Sequence, residues 1–296
     1  MMRTLAFWVF VFFVAFGGSA MALPEFSTSG VPQGSIEELA RIYREASKRL
    51  RQMVLHPTGG TDAAQEFRRA RAIALSDQVD QVLLALKRRV SPWASKNALA
   101  AVREGRATAE RQAREAGVRV QGAIVGGSFH LVEHRAVGYV ARQIAMDLNQ
   151  AADSMGDRAK RLLRKTAQEG LDETKINRIL AGGIIEGTPA ATIRTLREEL
   201  RAVHGDTVQV IDKNGDPINF EVGYYASLVA CTQTRTAMVD AKHERLEAIG
   251  LDLVAIVGRI SENFCTAYLG EVYSLSGKHP KYPAYASLPS GGAPFH

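Results

Sequence analysis

From position 35 to position 205 the apolar residues of this chain recur every three or four places, and at position 206 the interval drops to two. A spacing near 3.6 places side chains on one stripe of a helix, whereas a spacing of two places them on one face of a strand. The change of interval therefore predicts a mainly α chain. A helical region over 35–205 is followed by a small α+β module over 206–296 that contains a β-hairpin.

Within the first region, Ile36, Leu39, Ile42, Tyr43, Ala46 and Leu50 keep helical period, and Ser35 with Glu38 three residues on reads as a capping box. His56-Pro57-Thr58-Gly59-Gly60 ends that helix. A second helix is expected from Asp62 to Arg89 through Phe67, Ile73, Val79, Val82, Leu83 and Leu86, antiparallel to the first. Ser91-Pro92 then reads as a fresh helix start, since proline suits a first turn, and Gly117 stops the Ala-rich stretch that follows. Val118 to Phe129 is broken by Gly122, Gly126 and Gly127 and is expected as a loop or short strand. Helix resumes near His130 and runs toward Met155 through Val132, Val137, Val140, Ile144, Leu148 and Ala151, with Gly156-Asp157 as a kink or break. Two more starts follow: Asp172 before Glu173, and Thr188-Pro189 with Thr as the cap and Pro in the first helical position.

In the second region Val208, Val210, Ile218, Phe220 and Val222 alternate on either side of Asn214-Gly215, which predicts a hairpin over 206–222 turning at that dipeptide. A long helix is expected from Tyr224 to Ile249, stopped by Gly250, then a buried strand over Leu251 to Val257 and a tail rich in Gly, Pro, Tyr and Ser.

Composition narrows the function classes. With 46% hydrophobic and 23% charged residues, the chain is neither a polytopic membrane protein nor a disordered one. The net charge of +6 permits an anionic neighbour without specifying it. The densest positive cluster is Arg158, Lys160, Arg161, Arg164 and Lys165, which fits either a phosphate backbone or a solvated helix face. Two cysteines, Cys231 and Cys265, cannot build a disulfide framework or a four-thiolate zinc site; a single bridge stays open. There is no P-loop, no His-Glu-x-x-His and no Gly-x-Ser-x-Gly. Lys242-His243-Glu244 offers acid–base groups, but neighbours on a helix diverge, so neither catalytic residues nor a cofactor are assigned. At the start, Arg3 precedes an apolar run from Leu5 to Phe16 and small residues through Ala22, the layout of a signal peptide; that run is short for a membrane span. Translation from Met21 is the competing reading of residues 1–22.

The stretch Tyr224-Tyr225-Ala226-Ser227-Leu228-Val229-Ala230-Cys231-Thr232-Gln233-Thr234-Arg235, followed by Gly250-Leu251-Asp252-Leu253-Val254, resembles the helix and strand of phage Mu F-like (MuF) minor head proteins. The run Phe264-Cys265-Thr266-Ala267-Tyr268-Leu269-Gly270-Glu271-Val272-Tyr273-Ser274-Leu275-Ser276-Gly277-Lys278-His279-Pro280-Lys281-Tyr282-Pro283 is similar to that family's terminal signature. Ile176 to Gly183 and Glu186 to Pro189 resemble the segment before the module. The residues carrying the motif are Thr232, Arg235, Cys265, Gly270, Gly277, His279, Pro280 and His296.

The chain departs from the pattern at Ala230-Cys231-Thr232-Gln233, where the family often has Ala-Arg-Thr-Glu, and again after Pro294-Phe295-His296, where the family continues with further Cys or His. The gene product therefore reads as truncated or divergent at its end. Cys265, His279 and His296 are too scattered for a metal assignment. The resemblance implies a structural protein of the virion, not an enzyme, near the portal or inside the capsid. Its expected partners are portal or other head proteins and, through the basic cluster, non-specific double-stranded DNA. Under the signal-peptide reading the alternative is a secreted or periplasmic helical protein, such as the delivery portion of a MuF-type toxin.

Overall fold

The computed structural model describes residues 30–56, 65–118, 120, 128–183, 185, 188–211, 216–256 and 267–288. Over these it is mostly helical, with two small antiparallel hairpins toward the carboxy terminus. Three helices dominate: α1 (Gln33–Leu55), α2 (Gln65–Glu115) and α3 (Ser128–Gln168). α1 lies antiparallel to α2, with Ser35 against Asn97 and Glu45 against Arg89. α2 lies antiparallel to α3, with Asp80 on Lys160 and Lys87 on Asp153. Short helices α4 (Glu173–Leu180) and α5 (Ala190–His204) close one end. A hairpin of β1 (Thr207–Ile211) and β2 (Pro217–Glu221) leads into the long α6 (Val222–Ala248).

One apolar cluster holds these elements together. It draws Leu39 and Tyr43 from α1, Val79, Leu83 and Val90 from α2, and Ile144, Leu148 and Leu162 from α3. It continues through Ile176, Leu196, Val208, Val222 and Ala226, so the core runs straight across position 206. The second sequence region begins inside the body of the first.

Close helix approaches explain two glycines. A Cβ on Gly156 would lie 2.2 Å from Leu83 Cδ1, and one on Gly105 would lie 2.1 Å from the Met238 carbonyl oxygen. Gly156 is thus a packing position within a continuous α3, which corrects the expected break there. Gly105 lets α6 run against α2 with the two chains in the same direction, Arg106 near Glu244 and Glu110 near Arg245.

Other expectations are corrected in the same way. α2 passes through Pro92 without restarting, although the proline removes the N–H that would bond the carbonyl four residues back. The start of α1 braces that turn: Trp93 Nε1 donates to the Ser35 carbonyl at 2.8 Å, and Ser35 Oγ donates to Asn97 Oδ1 at 2.9 Å. Because its hydroxyl serves that contact, Ser35 is not a cap. α1 starts three residues earlier, after Pro32, with no side-chain cap. At α5 the cap position is Pro189, one residue later than expected, with extended ψ and no side-chain cap. Asp172 caps α4 as expected, accepting from the Lys175 amide at 2.8 Å. Phe67 and Ile73 are 56% and 64% exposed, because they lie about a third of a turn off the buried stripe of Ala72, Val79, Leu83 and Leu86.

The hairpin over 206–222 is present, pairing Thr207 with Glu221 and Ile211 with Pro217. Asn214-Gly215 lies outside the described residues. Glu221 ends β2 and caps α6 at once, accepting from the Gly223 and Tyr224 amides at 3.0 and 2.6 Å. Arg44 of α1 donates to the same carboxylate at 3.1 Å, which fixes the entry of α6 on the body.

Beyond α6, β3 (Leu253–Ala255) pairs antiparallel with β4 (Val272–Ser274), followed by a short 3-10 turn at Tyr285–Ser287. The expected buried strand over 251–257 is corrected here to three residues with Leu253 41% exposed. One partner strand and one small apolar cluster, Ile256, Tyr273 and Leu288, cover only one of its faces.

Candidate functional site

The five cations of the basic cluster do not form one surface. Arg158 is buried and donates to the Thr207 carbonyl at 2.8 Å, tying α3 to β1; burial, then Arg161, holds its guanidinium below the usual arginine range. Lys160 pairs with Asp80 of α2 at 2.5 Å, and Lys165 pairs with Glu199 of α5 at 2.8 Å. Arg161 and Arg164 face outward, with Arg164 Nε donating to the Lys160 carbonyl of its own helix at 3.3 Å. Helical spacing predicts a common face, but three of the five charges are taken by residues far away in sequence.

The motif residues have a different character. Gly270 and Gly277 have φ of +84° and +68°, left-handed conformations that side chains resist. Between them β4 runs back along β3, and Asp252 ties the turn that follows. Its Oδ2 accepts from Ser274 Oγ at 2.7 Å and its Oδ1 from the Ser276 amide at 2.7 Å. These hydrogen bonds, Ser274 first, hold the Asp252 carboxyl below the ordinary carboxylate range. His279 Nδ1 accepts from the Lys281 amide at 3.2 Å, and its ring lies 5.0 Å from that of Tyr282 across Pro280. Lys281 Nζ sits 5.4 Å from the centre of the same tyrosine ring.

On α6, Thr232 is exposed and Arg235 is half-buried, its guanidinium lowered by desolvation. Cys265 and His296 lie outside the described residues. Cys231 is buried with a free thiol that burial pushes up to about 12, so it stays protonated near neutral pH. No cluster of three metal-ligating side chains occurs among the described residues.

Sequence reasoning missed the partner of His243. The side chains of Lys242-His243-Glu244 diverge, as helix geometry requires: Glu244 reaches Arg106 at 3.6 Å, while the His243 ring meets the edge of Tyr285 at 4.5 Å between centroids. Burial, reinforced by Lys242, lowers His243 to about 4; burial, reinforced by Asp240, raises Tyr285 to about 12. No local pattern points to this pair, which joins residues about forty positions apart.

Of the two best-formed cavities, one holds about 40 Å³ between α2 and α3, lined by Phe67, Arg71, Leu75, Leu163 and Leu171. That is well below the roughly 300 Å³ of a typical ligand site. The other is an open groove at the joint between α6 and the carboxy-terminal hairpin, lined by Glu247, Asp252, Ser276 and Lys278. Among the described residues, no nucleophile, base and orienting group converge in either cavity. No helix described is long and apolar enough to cross a membrane. No family model, curated protein or solved structure matches the chain.

Proposed function

We propose that this chain is a structural component of a tailed-phage head, of the MuF minor head type, acting near the portal or inside the capsid in head assembly, DNA packaging or ejection. The observation that carries the reading is the pair of sequence runs on α6 and over 264–283, together with the use their residues have in the fold. Gly270 and Gly277 shape turns through their left-handed backbone, and His279 accepts a backbone hydrogen bond from Lys281. A signature written in such residues specifies an architecture and a docking shape more than a reaction centre. The decisive experiment is quantitative mass spectrometry of purified heads. The expected result is a few copies per particle, shielded from added protease until the head is opened. Absence from heads, with accumulation in the culture fluid, would instead favour the secreted alternative that the apolar run at 5–16 supports.

Any DNA contact rests on Arg161 and Arg164, since Arg158, Lys160 and Lys165 have protein partners. Binding of that kind is weak, sequence-independent and steeply salt-dependent. Replacing both arginines by alanine should flatten the log–log salt slope by about two units, at roughly 0.9 per phosphate contact. An unchanged slope in filter binding would assign this face to water or to another head protein.

A further inference from the structure

We propose that residues 250–256 and 267–288 form a hinged flap, clipped to α6 by the edge contact between Tyr285 and His243, that opens when His243 takes up a proton. Three observations build the hinge. The flap has its own apolar cluster around Ile256, Tyr273 and Leu288, separate from the body's core. Its strands β3 and β4 pair with each other and, among the described residues, with no strand of the body. It leaves α6 through Gly250, whose φ of +84° ends the helix sharply, with the Leu251 amide bonded back to the Leu246 carbonyl at 2.9 Å.

The clip is a ring pair: Tyr285 stands edge-on to His243 at 4.5 Å, and Tyr273 stands edge-on to Tyr285 at 6.4 Å. The charges around it set the direction of the switch. Lys242 on α6 acts against a proton on His243, and Asp240, one turn earlier, faces Tyr285. From α2, the charges at this level are Arg106 and Glu110, taken up by Glu244 and Arg245 on other sides of α6. From the flap come the neutral Tyr285 and, behind it, Tyr273 with Glu271 and Tyr268. None of these places a carboxylate against the imidazole that would welcome its proton.

A depressed histidine favours the closed state above its ordinary value near 6.5 and loses that contribution as pH falls toward the closed-state value of about 4. Over that window the closed-to-open ratio falls by at most about three hundredfold, since one titrating group changes it by no more than a factor of ten for each tenfold rise in proton concentration.

Hydrogen–deuterium exchange on the full chain tests this, with amides of 253–256 and 272–274 followed at pH 7 and pH 4.5 after correction for intrinsic exchange. The wild type should lose protection there at pH 4.5 while α2 and α3 keep theirs. His243→Phe, which preserves a ring but cannot titrate, should stay protected at both values; Tyr285→Ala should be unprotected at both. Equal protection of the wild-type flap at the two pH values would overturn the proposal. So would an acid loss as large in His243→Phe as in the wild type, since another group would then be responsible. If Phe at 243 disturbs the fold, His243→Tyr, which also keeps a ring and does not titrate between the two pH values, supplies the same comparison.

Discussion

In the helical body, Leu39, Leu148 and Leu162 belong to a single cluster fed by all six helices and a strand; in the flap, Ile256, Tyr273 and Leu288 form a much smaller cluster among the described residues, with Val254, Tyr268, Leu269 and Tyr285 against it. The body can therefore be held by burial, at about 25 cal/mol per Å² of apolar surface removed from water. The flap must rely on directed contacts: two left-handed glycines, the Asp252 hydrogen bonds to Ser274 and Ser276, and the edge-on rings of Tyr273 and Tyr285. Cooperative loss of the body and local opening of the flap should then be separable events.

The sharpest attack on that contrast is Leu148→Ala. Leu148 is fully buried, and truncation there should cost about 2–5 kcal/mol through lost transfer energy and a cavity. Calorimetry should show the body's transition moving down, with the six helices lost together. A smaller effect, about 1–3 kcal/mol, is expected for Gly105→Ala, because the added methyl meets the Met238 backbone carbonyl, which cannot swing aside. Chemical denaturation would reveal it, and a neutral result would mean that α2 and α6 are not in such close contact.

Glu110→Ala leaves Arg245 without its carboxylate in a site where the arginine is 8% exposed. About 1–2 kcal/mol is expected, discounted from the cost of a fully buried pair because Glu110 keeps some solvent. Asp252→Asn should leave the body's transition in place and lower exchange protection only in β3 and β4. Since the hydrogen bonds depress the Asp252 carboxyl, their stabilisation is present above the ordinary carboxylate range and is lost as pH falls below it. If Asp252→Asn shifted the global transition as far as Leu148→Ala, the two regions would be one cooperative unit. The least effect, within about 0.5 kcal/mol, is expected for Arg161→Ala with Arg164→Ala, since both face outward.

The helical architecture was legible because amphipathic stripes are local. The spacing of Ile36, Leu39 and Tyr43, or of Ile144 and Leu148, places them on one face whatever lies opposite. Features decided at a distance were not legible. Asp172 and Ser35 look alike as caps, yet one bonds the next turn and the other is claimed by Asn97, 62 positions on. Pro92 reads as a boundary until Trp93 finds the start of α1. The basic cluster reads as a surface until Asp80, Glu199 and the Thr207 carbonyl consume three of its members. For the flap, the apolar run from Leu251 to Val257 revealed a strand, which covers 253–255, while its partner at 272–274 was hidden in a run too short and too rich in serine and glycine to show a period.

Because α6 completes a core begun by α1, α2 and α3, the order in which this protein is made bears on how it folds. A nascent chain that has emerged only as far as α5 carries long helices whose apolar stripes still lack Val222, Ala226 and Ala230. It must wait on the ribosome, or be sheltered by a chaperone, until about twenty-five more residues arrive, since exposed stripes of this kind aggregate. Slow translation across 206–248 would lengthen that exposure and slow translation after 250 would not, so silent codon changes in the two intervals should differ in their effect on soluble yield.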